Sequence, residues 1–140
     1  MEKPTQEGLV YLVDPKWYEE HKKSLPDTLQ ARRCSSCQKK TSDKGGPAGG
    51  WEEQMKKIVE CCSKKPTWFS SRTPALESAF RLILANSNRP LPFATLYEQI
   101  TNLWSSGESP RYIAKEVLVK MLDMDDFYGI RSTSAVRTTP

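Results

Sequence analysis

Thr73-Pro74-Ala75-Leu76-Glu77-Ser78-Ala79-Phe80-Arg81-Leu82-Ile83-Leu84-Ala85 opens with a helix-start dipeptide and continues with Leu76, Phe80, Ile83 and Leu84 on one face. This amphipathic helix runs to Asn86-Ser87-Asn88. Beyond it, Arg89-Pro90-Leu91-Pro92 is held extended by its prolines, and Phe93, Leu96, Tyr97, Ile100, Leu103 and Trp104 recur at helical spacing. After a turn at residues 105–108, Ser109-Pro110 caps a third helix to about Met124, with Ile113, Val117, Met121 and Met124 as its expected core stripe. Residues 127–131 and 135–139 are candidate short strands around Ser132-Thr133-Ser134.

Working outward towards the N-terminus, the pattern changes. Residues 1–7 read as a disordered tail, and Gly8-Leu9-Val10-Tyr11-Leu12-Val13 is a β-prone run. Asp14-Pro15 starts a short helix that runs to about Lys23 and is stopped by Leu25-Pro26, after which Asp27 can cap another turn. Residues 41–50 are glycine-rich and aperiodic, which predicts a flexible loop. Trp51, Met55, Ile58, Val59 and Cys62 then mark a helix over about residues 51–63. The predicted fold class is therefore mainly α with short β-strands. A Cys-rich module over residues 8–69 is joined near residues 70–73 to a three-helix unit over residues 73–140.

Helix, extended proline link, helix, tight turn, helix and terminal strands is the order of a winged helix, and residues 73–140 resemble the winged helix-turn-helix family in this arrangement. The resemblance implies that the third helix is the recognition helix. Arg111, Tyr112 and Lys115 would lie on its outward face beside Glu116, Val119 and Lys120, with Arg131 and Arg137 on the wing. DNA contact by this half is opposed by charge, because residues 73–140 hold 7 Lys/Arg and 7 Asp/Glu and phosphate neutralisation supplies much of such affinity. Winged helices also serve as protein-docking modules, which is the alternative.

All four cysteines lie in the first half, as Cys34-Ser35-Ser36-Cys37 and Cys61-Cys62. A C-x-x-C knuckle puts two sulfurs on one side of an ion, and tetrahedral zinc needs four such ligands. Cys34, Cys37, Cys61 and Cys62 are the candidate ligands, with His21, the sole histidine, as the substitute. The knuckle partly resembles a zinc ribbon, but the second pair is adjacent rather than spaced. Neighbouring helical residues point about 100° apart, so both thiols reach one ion only if the helix ends or distorts there. Zinc is the expected cofactor. An iron–sulfur cluster or no cofactor, with buried thiols and a reducible surface pair, are the alternatives.

The chain has 140 residues, is 37% hydrophobic and 27% charged, and carries a net charge of +4. Residues 1–72 hold 14 Lys/Arg against 10 Asp/Glu, so a phosphate-seeking surface is expected there, at Arg32, Arg33, Lys39 and Lys40 around the knuckle. The thin apolar share fits a small core that a metal would staple. The start, Met1-Glu2-Lys3-Pro4, lacks the basic and then apolar order of a signal peptide, and no apolar run approaches membrane-spanning length. The expected location is the cytoplasm. No nucleophile elbow, P-loop or dinucleotide-binding turn occurs, and a non-enzymatic role in transcription regulation or another nucleic-acid-associated or regulatory task is expected. A docking subunit of a larger assembly is the alternative.

Overall fold

The computed structural model describes residues 9–34, 50–65, 68, 72–105 and 111–134. In chain order the elements are β1 (Leu9–Val13), α1 (Pro15–Glu20), α2 (Leu25–Gln30), α3 (Trp51–Glu60), α4 (Ala75–Ala85), β2 (Leu91–Pro92), α5 (Phe93–Ser105), α6 (Lys115–Asp123) and β3 (Ile130–Ser134), with a 3-10 turn at Cys62–Lys64. The protein is mainly α with one small sheet, as its periodicity predicts.

The sheet has the order β2-β1-β3, and β1 runs antiparallel to both neighbours. Val10 and Tyr11 face Pro92 and Leu91 on one side, and Val13 faces Ile130 on the other. A central strand is covered on both faces, so β1 is apolar almost throughout, and Val10, Tyr11 and Val13 are buried. Proline cannot donate to a ladder, which confines Pro92 to an edge strand and keeps β2 short. Where β2 gives out, the Asn88 side chain replaces it. Its Oδ1 accepts from Val13 N–H at 2.8 Å and its Nδ2 donates to the Val13 carbonyl at 2.8 Å.

Helix starts follow local chemistry. Asp14 accepts from Lys16 N–H at 3.0 Å, and Pro15 occupies the first turn of α1. Ser24 accepts from Asp27 N–H at 3.2 Å, so α2 begins at Leu25 rather than at the expected Asp27 cap. Helix α4 buries Phe80, Ile83 and Leu84 together with Ala75, Ser78 and Ala79, and α5 buries Phe93, Leu96, Ile100 and Trp104.

Helix α6 departs from the expectation in both start and phase. Residues 111–114 are not helical, and the N-cap Ala114 is extended (φ −73°, ψ 148°). Tyr97 Oη donates to the Ile113 carbonyl at 2.8 Å and Arg111 N–H to the Trp104 carbonyl at 3.4 Å, which fixes this stretch against α5. The helix then starts at Lys115 with Leu118 and Leu122 inside. Each buried Leu contributes about 1.5–3 kcal/mol. Of the expected stripe, Ile113 is buried, whereas Val117, Met121 and Met124 are on the outside.

At the C-terminal end, residues 127–129 are not a strand. The Asp125 carboxylate gathers the N–H groups of Phe127, Tyr128 and Ile130 at 3.1, 3.0 and 2.9 Å. Gly129 adopts φ +74°, and a Cβ there would stand 2.7 Å from the Tyr18 ring. The partner of β3 is β1, while the second expected strand, residues 135–139, lies outside the described residues.

One hydrophobic cluster contains Tyr11, Trp17 and Ile58 from the first half and Phe80, Ile100 and Leu122 from the second. Residues on both sides of positions 70–73 thus contribute to this cluster. The expected tail at residues 1–7 and most of the loop at residues 41–50 fall outside the described residues. Among the described helices none is long and apolar enough to cross a membrane.

Candidate metal centre

Helices α2 and α3 pack against each other, and this brings Cys34, just beyond α2, to the end of α3. Arg33 helps to hold the junction: it is buried, and its Nη1 donates to Oε1 of the buried Gln54 at 3.0 Å. The α-helix stops at Glu60. Cys61 leaves helical geometry (φ −130°, ψ −63°), and a 3-10 turn carries Cys62. This break lets two adjacent cysteines aim at one point, the condition that an uninterrupted helix would fail.

The Sγ atoms of Cys34, Cys61 and Cys62 all lie within 4.8 Å of one another, a group that can hold a metal ion. The sulfurs of Cys34 and Cys61 are 3.8 Å apart, far beyond the roughly 2.05 Å of a disulfide. With a metal–sulfur bond near 2.3 Å, the edge of a tetrahedral thiolate site is about 3.8 Å, so this spacing suits thiolates gathered around a metal ion. Cys34 N–H donates to Cys62 Sγ at 3.1 Å, which stabilises negative charge on that sulfur. Cys37 lies outside the described residues. His21, the substitute ligand, is not in the group: its ring stacks on Trp17 at 4.1 Å, and its Nδ1 is 2.8 Å from the Trp17 carbonyl.

The cations expected to meet phosphate are largely engaged within the fold. Arg32 is bidentate on Glu77, with Nε to Oε2 at 2.8 Å and Nη2 to Oε1 at 3.0 Å, and both side chains are only 15% exposed. Arg81 adds a second guanidinium to Glu77 at 2.8 Å and donates to the Trp68 carbonyl at 2.9 Å. Burial alone would raise the Glu77 pKa, but hydrogen bonds from Arg32 and Arg81 outweigh it and bring the carboxyl down to about 2. Arg111 lies 3.8 Å from the Trp104 ring centroid and donates to the Thr73 carbonyl at 2.6 Å. Arg131 is exposed and lies 3.7 Å from Glu20. Lys115 is exposed, 5.7 Å from the Tyr97 ring, and Tyr112 is exposed. Lys39, Lys40 and Arg137 lie outside the described residues.

Sequence reading missed the carboxylate and amide that absorb the first two arginines. Glu77 carried one signal, its i,i+4 spacing to Arg81; Gln54 carried none. It also missed the outward apolar stripe of α6, where Val117 is 50%, Met121 36% and Met124 72% exposed, with Tyr112 (79%) before the helix and Phe127 (58%) after it. Comparison with protein-family models, with curated proteins and with solved structures gives no match for this chain.

Proposed function

We propose that this chain is a non-enzymatic docking module, braced by zinc on its cysteines, that binds an amphipathic helix of a protein partner on the outer face of α6. The single observation carrying this reading is the exposure of Val117, Met121 and Met124, which share one helix face at i, i+4 and i+7. Two of the three are methionines, whose unbranched, polarizable side chains adapt to a partner's shape.

Area argues for the kind of occupant. The outward side chains of Val117, Met121 and Met124 offer on the order of 300 Å², the scale of one apolar patch on a monomer. A stable folded partner or a second copy buries about 800 Å² per side. A single helix laid along the stripe needs less, and its i/i+3/i+4/i+7 anchors match the spacing.

In this reading α4, α5 and α6 correspond to the three helices of a winged-helix-like unit, with α6 in the recognition position facing protein instead of DNA. Nucleic acid is the weaker reading because Arg32, Arg33 and Arg111 are engaged by Glu77, Gln54 and Thr73. Zinc supplies the cross-link between the segment after α2 and the end of α3. The cellular location proposed with it is the cytoplasm, where thiols stay reduced.

The test selects helical peptides from a displayed amphipathic library against the full chain, then compares their affinities for wild type, Met121→Glu and Met124→Glu. At least a tenfold loss in both variants is expected, with no binding to non-specific duplex DNA at low salt. Peptides indifferent to both charges, dimerisation through this face, or DNA binding that falls steeply with salt would overturn the assignment.

A further inference from the structure

The three thiols of the metal group are not equivalent, and the difference assigns them separate chemistry. Cys62 is 1% exposed, and its sulfur accepts the Cys34 N–H at 3.1 Å. Cys34 and Cys61 are only half-buried, with sulfurs 3.8 Å apart. Closing that gap to a bond of about 2.05 Å needs each sulfur to move by roughly 0.9 Å, within reach of small side-chain rotations. A Cys61–Cys62 bond would instead close a strained ring across one peptide unit, and Cys62 is shielded from water.

We infer that Cys34 and Cys61 form an oxidative modification site that hydroperoxides convert to a disulfide, with Cys62 as the protected anchor. One of these half-buried thiolates attacks the outer peroxide oxygen, the O–O bond breaks, and the alcohol or water leaves after taking up a proton. The sulfur is now a sulfenic acid. The second thiolate attacks that sulfur and expels hydroxide, which leaves as water after protonation. The two thiols together lose two electrons and the hydroperoxide gains two, giving one disulfide, one alcohol or water, and one further water. The cross-link between the segment after α2 and the end of α3 persists as a covalent bond, but two donors are lost and the group no longer holds a metal ion. This last consequence rests on the zinc reading; the disulfide itself does not.

The test uses the full chain, purified reduced, with its zinc content measured first and then treated with about one equivalent of hydrogen peroxide. Trypsin leaves Cys34 with Cys37 on one peptide and Cys61 with Cys62 on another, so Cys37→Ser and Cys62→Ser are needed to assign the bond. The expected result is a loss of two hydrogen masses, the two peptides linked in wild type and in each variant, and zinc released in step. Zinc-free protein that still forms the link upholds the site and refutes the zinc reading. Zinc-loaded protein that gives a Cys34–Cys37 bond, loses the link in either variant, or goes to sulfinic acid without linkage overturns the site and leaves the zinc reading intact.

Discussion

Glu77→Gln removes the charge that two guanidiniums share, and its effect follows from the geometry. The carboxyl titrates near 2 in the folded protein against an ordinary value of 4.5, and each pKa unit corresponds to 1.36 kcal/mol. The ionised group therefore contributes on the order of 3 kcal/mol, a large part of a typical stability of about 5–15 kcal/mol. Because the folded pKa is depressed, this stability is fully present above pH 4.5 and is lost as pH falls towards 2. About 2 kcal/mol of it should be gone at pH 3. Glutamine cannot titrate, and its amide N–H group would face Arg32 or Arg81 donor to donor. Urea unfolding of both proteins from pH 7 to pH 3 measures the difference directly. With a slope near 1.5 kcal/mol per molar, the midpoints should differ by about 2 M at pH 7 and converge on acidification. Parallel midpoints across that range would refute the argument that charge pairing, rather than burial, governs Glu77.

Other perturbations follow from named contacts. Gly129→Ala places a Cβ 2.7 Å from the Tyr18 ring at φ +74° and should cost about 2–3 kcal/mol in denaturant unfolding. Asn88→Ala strips both side-chain bonds from Val13 and should cost about 2–3 kcal/mol, with faster amide exchange at Val13. A chelator, if zinc braces the thiols, should lower the thermal midpoint by at least about 5 °C, and an unchanged midpoint would remove that brace from the account. Met124→Glu, on an exposed position, should change stability by no more than about 0.5 kcal/mol; a larger loss would mean that the α6 stripe is core rather than surface.

The helices of the second half were legible because their apolar residues fall on one face: Phe80, Ile83 and Leu84 in α4, and Phe93, Leu96, Ile100 and Trp104 in α5, go inside as the spacing says. Helix α6 misled because Val117, Leu118, Val119, Met121 and Leu122 supply two apolar stripes. Periodicity cannot choose between them, and the extended Arg111–Ala114 stretch, pinned by Tyr97, sets the phase. The strand Leu9–Val13 could be read locally, but its partners are about 80 and about 120 residues away, a distance over which no local signal operates. The thiol group was legible from spacing, including the need for a helix break near Cys61, because that condition is pure geometry. The loss of Arg32 and Arg33 to internal partners was not, since a basic run in sequence says nothing about which cations tertiary contacts will consume.

The place of β1 between β2 and β3 also governs the order of events during synthesis. Ile130, which Val13 faces, leaves the ribosome roughly 120 residues after it, a delay of about 6–24 s at ordinary elongation rates. Throughout that interval an apolar strand stands without its longer neighbour while the cysteines emerge behind it. Removing either β1 or β3 removes the same seam.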